Sequence, residues 1–98
     1  SNALNLLVAG LEDDYESGSR LITIWPNPMA DKAMITIDPS QPKPASLQII
    51  DVTGRFVRQE AVADHTIILR KNNLPAGFYI IAVTLENGYT LKKKISLK

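Results

Sequence analysis

From Leu21 onward the chain alternates apolar and polar positions with a period of two, in seven short runs. Leu21–Trp25 is the first. In Lys32–Ile37, Ala33, Ile35 and Ile37 share one face. Leu47–Val52 is apolar enough for a central strand, and Phe56–Val62 follows it. Thr66–Arg70 sets Ile67 beside Leu69, and Gly77–Glu86 aligns Tyr79, Ile81, Val83 and Leu85. Tyr89–Leu97 aligns Tyr89, Leu91, Ile95 and Leu97. Period two marks a strand with one buried face, and no stretch keeps a helical period. Seven short strands at roughly ten-residue spacing predict an all-β fold, a seven-stranded antiparallel immunoglobulin-like β-sandwich.

Short turn signals separate the runs. Pro26-Asn27-Pro28 fixes two φ angles and ends the first strand sharply. Pro39, Pro42 and Pro44 oppose regular pairing and predict a loop. In Asp51-Val52-Thr53-Gly54-Arg55, Gly54 can take a positive φ and Asp51 can hold backbone groups two residues on. Leu74-Pro75-Ala76-Gly77-Phe78-Tyr79 leads into a buried strand; Gly77 serves an unusual backbone angle or a close approach. Tyr79 is expected buried with its hydroxyl at the edge. Asn87-Gly88 predicts a type I′ hairpin. In the last strand Lys92, Lys94, Ser96 and Lys98 take the polar face, whereas Lys93 falls on the apolar one. Lys93 therefore requires either snorkelling at a sheet edge or a bulge.

The chain before Leu21 differs in composition. Ser1-Asn2-Ala3 reads as the remnant of a cleaved purification tag, so the chain is a fragment of a longer protein. Residues 4–20 read as a linker or the end of a preceding region: apolar Leu4–Leu11, acidic Glu12–Glu16, then Ser17-Gly18-Ser19. The alternative is a short element packed on the domain through Leu6, Leu7 and Leu11. Residues 21–98 form the domain proper.

Composition narrows the chemistry. The 98 residues suit one domain, and a net charge of +1 gives no global attraction for nucleic acid. Without cysteine there is no disulfide or thiolate metal site. No run approaches the ~20 apolar residues of a membrane helix. His65 is the lone histidine, expected in the turn before Thr66, and no nucleophile elbow accompanies it. A single carboxylate at Asp51 is too few for a calcium loop, and there is no glycine-rich phosphate loop. The reading is no enzyme, no cofactor, no metal, no nucleic acid and no small-molecule substrate. The lysines of the last strand read as edge protection against aggregation or as a docking face.

Four signals recur in a particular order: Trp25-Pro26-Asn27-Pro28, Asp51-x-x-Gly54-Arg55, Leu74-x-x-Gly77-x-Tyr79, and the terminal Lys92-Lys93-Lys94-Ile95-Ser96-Leu97-Lys98. Their order and terminal position resemble the type A C-terminal sorting domain of cargo proteins of the type IX (Por) secretion system of Bacteroidetes. Trp25 stands where the family pattern has Tyr. The resemblance implies a secretion signal that directs a fused N-terminal cargo through the outer-membrane type IX translocon. It implies a signal-processing peptidase as a second partner, and cleavage or surface attachment of the cargo. The implied route runs through the periplasm to the cell surface or the medium. On that resemblance the sorting motif comprises Pro26, Asn27, Pro28, Asp51, Gly54, Arg55, Gly77, Tyr79, Lys94 and Lys98. The alternative is a generic immunoglobulin- or fibronectin-like spacer or adhesion module, with a small carbohydrate-binding module as a third class.

Overall fold

The computed structural model describes residues 18–98; the expectations for residues 1–17 lie outside the described residues. A 3-10 turn, Ser19–Leu21, precedes seven strands: β1 Ile22–Trp25, β2 Lys32–Ile37, β3 Pro44–Asp51, β4 Phe56–Ala61, β5 Thr66–Arg70, β6 Gly77–Leu85 and β7 Thr90–Leu97. They form two antiparallel sheets, β1-β2-β5 and β4-β3-β6-β7. The all-β prediction holds, and β2 and β5 have the predicted bounds.

Alternation explains the core. Ile22 and Ile24, Ala33, Ile35 and Ile37, and Ile67 and Leu69 turn inward from the three-stranded sheet. Leu47 and Ile49, then Tyr79, Ile81, Val83 and Leu85, then Leu91, Ile95 and Leu97 meet them from the four-stranded sheet. No polar residue is buried among the described residues. The core is therefore apolar, almost entirely aliphatic with Tyr79 as its one aromatic ring, and burial of its area drives the two sheets together.

Several local expectations fail for identifiable reasons. Pro44 is not in the loop: it opens β3, is buried, and stands opposite Leu85 beside a register shift. The first residue of a strand, next to a bulge, needs no ladder donor. Leu21 belongs to the 3-10 turn, not to β1. Tyr89 is exposed and lies outside β7. The Asn87-Gly88 hairpin is not type I′, because only Gly88 has positive φ there. Gly88 N–H donates to the Leu85 carbonyl and Leu85 N–H to the Tyr89 carbonyl, giving a three-residue loop closed by a glycine bulge. Asp51–Arg55 repeats the geometry, with Gly54 N–H donating to the Asp51 carbonyl and Asp51 N–H to the Arg55 carbonyl.

β7 keeps an unbroken register with β6, so no bulge accommodates Lys93. Lys93 faces inward opposite Ile81, on an edge strand, and its Nζ reaches the Ser19 carbonyl at 3.4 Å. It snorkels.

Candidate functional site

Antiparallel topology brings the four signals to one end of the sandwich. The β3–β4 turn, the start of β6 and the end of β7 coincide there, because Asp51 pairs with Tyr79, Tyr79 with Ile95 and Gly77 with Leu97. The β1–β2 connection joins them: Met29 bridges Leu97, and Lys71 N–H donates to the Asp31 carbonyl. The chain enters the fold at the other end, where Ser19 lies beside Lys93. That other end carries the proline loop, with His65 Nε2 2.8 Å from the Gln41 carbonyl oxygen. Ser40 N–H and hydroxyl contacts there hold the Asp38 carboxyl below its usual range.

The Pro-Asn-Pro segment closes the free edge of β7. Ser96 N–H donates to Asn27 Oδ1 at 3.0 Å, and Asn27 Nδ2 donates to the Lys94 carbonyl at 3.4 Å. Met29 N–H then donates to the Ser96 carbonyl and Lys98 N–H to the Met29 carbonyl, both at 2.9 Å. The Asn27 amide thus substitutes for a strand residue that the flanking prolines could not supply, since proline has no N–H to donate. Both X-Pro bonds of the segment are cis.

The turn at Asp51 is organised by one carboxylate. Asp51 Oδ1 accepts from the Thr53 hydroxyl (2.6 Å), Thr53 N–H (2.9 Å) and Arg55 N–H (3.0 Å). The Thr53 hydroxyl first, and the Arg55 N–H next, hold this carboxyl below its ordinary value. Arg55 Nε sits 3.3 Å from Asp51 Oδ2. That exposed pair adds little stability and leaves the guanidinium mostly in water.

The third signal is a tyrosine anchored to its own loop. Tyr79 is 6% exposed, and its hydroxyl donates to the Pro75 carbonyl at 2.6 Å. A tyrosine at the start of the sixth strand bonding back to the preceding corner is a recurrent device of immunoglobulin-like sandwiches. Gly77 has φ +145, and no atom crowds its Cβ direction. Of the two readings of Gly77, the structure supports the backbone angle and not a close approach.

On the far side of the same end, the Arg58 guanidinium donates to the carbonyls of Arg70 and Lys71, tying edge strand β4 to edge strand β5. The sandwich is therefore closed along both open sides, by Asn27 and Met29 on one and by Arg58 on the other. Sequence pattern missed Met29 and Arg58. The signal for Met29 was an apolar residue directly after the prolines; Arg58 sits in an ordinary polar position of β4 and carries none. Lys32, Arg55, Arg70, Lys71 and Lys98 also lie at this end, with Lys94 one step back, against only the carboxylates of Asp31 and Asp51 among the described residues. Lys94 stands over Phe78, with Nζ 5.7 Å from the ring centroid.

The family model for the secretion system C-terminal sorting domain matches residues 23–98. Among solved structures, the chain is similar to PorZ of Porphyromonas gingivalis, described as an essential bacterial surface component of the type-IX secretion system. The TM-score is 0.65 at 19% identity, over 86% of this chain and 12% of PorZ, so the chain spans only a small part of that protein. It is also similar to a DUF3244 family protein from Bacteroides vulgatus with an immunoglobulin-like β-sandwich fold. There the TM-score is 0.62 at 16% identity, over 80% of this chain and 85% of the other. At these identities the two structures establish the immunoglobulin-like fold. No curated protein sequence matches the chain significantly. With the model covering nearly all of the described strands, the chain belongs to the secretion system C-terminal sorting domain family.

Proposed function

We propose that this domain is the address by which a type IX secretion machine carries a passenger across the outer membrane, and that the end holding Asn27, Asp51, Gly77 and Lys98 presents the sorting motif. The observation that carries this reading is the convergence of four separated signals on one end, with Asn27 fastened to the last strand. A spacer would need rigid ends but no such gathering. The family and the immunoglobulin-like fold favour a non-enzymatic module. A passenger fused ahead of the domain would join it through Gly18, which lies at the end of the sandwich opposite the motif. Transit through the periplasm, processing by a signal peptidase of the system, and release or surface attachment of the passenger complete the proposed route.

The test is a signal peptide and fluorescent reporter fused ahead of the full chain in a Bacteroidetes host with an active type IX system. Reporter on the surface or in the medium supports the reading. An intact, folded fusion held in the periplasm overturns it. Changing Lys92, Lys94 and Lys98 together to Gln then separates the roles of the last strand. Export lost with near-normal melting makes the lysines part of the address, and export retained makes them edge protection.

A further inference from the structure

The outer face of β1-β2-β5 carries three rows, each running across the sheet by register. Thr23, Thr36 and Thr66 form the first, Trp25, Met34 and Ile68 the second, and Lys32 and Arg70 the third, at the motif end. The middle row is exposed: Trp25 is 73% accessible, Met34 47% and Ile68 46%. Trp25, Pro26, Met34 and Ile68 line a shallow groove of about 360 Å³. The other sheet covers only part of its outward apolar surface: Ile80 and Ala82 are buried opposite Lys94 and Lys92, whereas Phe56 and Phe78 stay exposed, Phe78 with Lys94 Nζ 5.7 Å from its ring. On the three-stranded sheet the bordering threonines are too short to cover anything. A contiguous exposed apolar row with a polar border marks an interaction surface.

The basic row strengthens this. Lys32 and Arg70 are directly opposite and exposed, and neither forms an ion pair among the described residues. Like charges facing each other across a strand pair destabilise the sheet. Nothing in the fold uses the juxtaposition; an incoming carboxylate would relieve it.

We propose that this face docks an acidic partner segment of the export machinery, its apolar side chains entering the groove between Trp25 and Ile68 and its carboxylates meeting Lys32 and Arg70. Charge complementarity selects the acidic partner, and the face adjoins the motif end through Trp25 and Pro26. The inference rests on the sorting function proposed above, and its test separates the two.

In the reporter fusion of the full chain, Lys32→Glu turns the like-charge pair into an opposite-charge pair. It should melt at or above the wild-type temperature and yet be exported about tenfold less, since a repelling charge now faces the partner. A second variant, Met34→Thr with Ile68→Thr, removes the apolar row with a strand-favouring residue and should lose export likewise. A fall in export together with an equal or raised melting temperature supports the docking face, because a merely structural role cannot produce it. Both variants exported like wild type overturn the docking face and leave the sorting function standing. Wild type itself retained in the periplasm overturns both. If the double variant fails to fold, Lys32→Glu decides alone.

Discussion

Asn27→Ala should loosen the last strand by an amount the geometry sets. The side chain makes two bonds to β7, one at 3.0 Å from Ser96 N–H and one at 3.4 Å to the Lys94 carbonyl. A well-formed bond contributes about 1 kcal/mol net, and one at the long limit of distance contributes less. Alanine also leaves Ser96 N–H free to find water at this exposed edge, so no buried-donor penalty is added. The expected loss is about 1–1.5 kcal/mol, or about 5–10 °C in melting temperature for a domain of this size. Met29 keeps its two backbone bonds to Ser96 and Lys98, so the edge should fray locally before the fold opens. Amide hydrogen exchange reads that directly: Ser96 should lose protection while Leu91 and Val83, deep in the sheet, keep theirs relative to global stability. Asn27→Asp retains an acceptor for Ser96 but sets a second oxygen against the Lys94 carbonyl, and should fall between alanine and wild type. If melting temperature and Ser96 protection are both unchanged in Asn27→Ala, the amide does not hold the strand, and the account of the Pro-Asn-Pro segment is wrong.

Gly77→Val should cost about 1–3 kcal/mol in thermal melting, from backbone angle alone, because φ +145 suits glycine and no atom crowds the position; an unchanged melt refutes the angle requirement. Tyr79→Phe should cost about 1 kcal/mol in urea unfolding by removing the 2.6 Å bond to the Pro75 carbonyl, with the ring still packed, and an unaltered midpoint would dismiss the anchor. The depressed Asp51 carboxyl contributes stability that is complete above the ordinary carboxylate range and is lost as pH falls through and below it, under about pH 4. Asp51→Asn should therefore flatten part of the acid limb of a stability–pH curve, whereas an identical limb would show that the turn bonds do not distinguish the two protonation states.

The alternating runs made the strands legible because each strand has one face in an apolar core. Ala33-Met34-Ile35-Thr36-Ile37 has only one register that buries its apolar set, and the structure adopts it. Positions where backbone geometry decides were harder. Asn87-Gly88 carries the dipeptide of a type I′ turn, yet the closure of Leu85 on Tyr89 leaves three residues to span, and a three-residue loop selects one positive φ instead of two. Pro44 looked like a breaker because pattern alone cannot tell the first residue of a strand from its middle. The motif residues could be picked out singly, but their gathering could not. Which ends of seven strands coincide follows from sheet order, and Arg58 acquires its role only when β4 and β5 become edges on the same side. The three rows outside β1-β2-β5 are likewise invisible until register aligns Trp25, Met34 and Ile68.

The clasp between Asn27 and the last strand joins residues 67 and 69 positions apart. A nascent or chaperone-held chain contains the same short motifs but not the clasp, so for a receptor that reads this end the message does not yet exist. Completion of the last strand is what writes it. An export gate built on such a reader would inspect the folding state of its client before committing to it, and would leave misfolded clients behind without any separate proofreading component. Damage anywhere in the sandwich that frees β7 would then silence the address as thoroughly as deleting it.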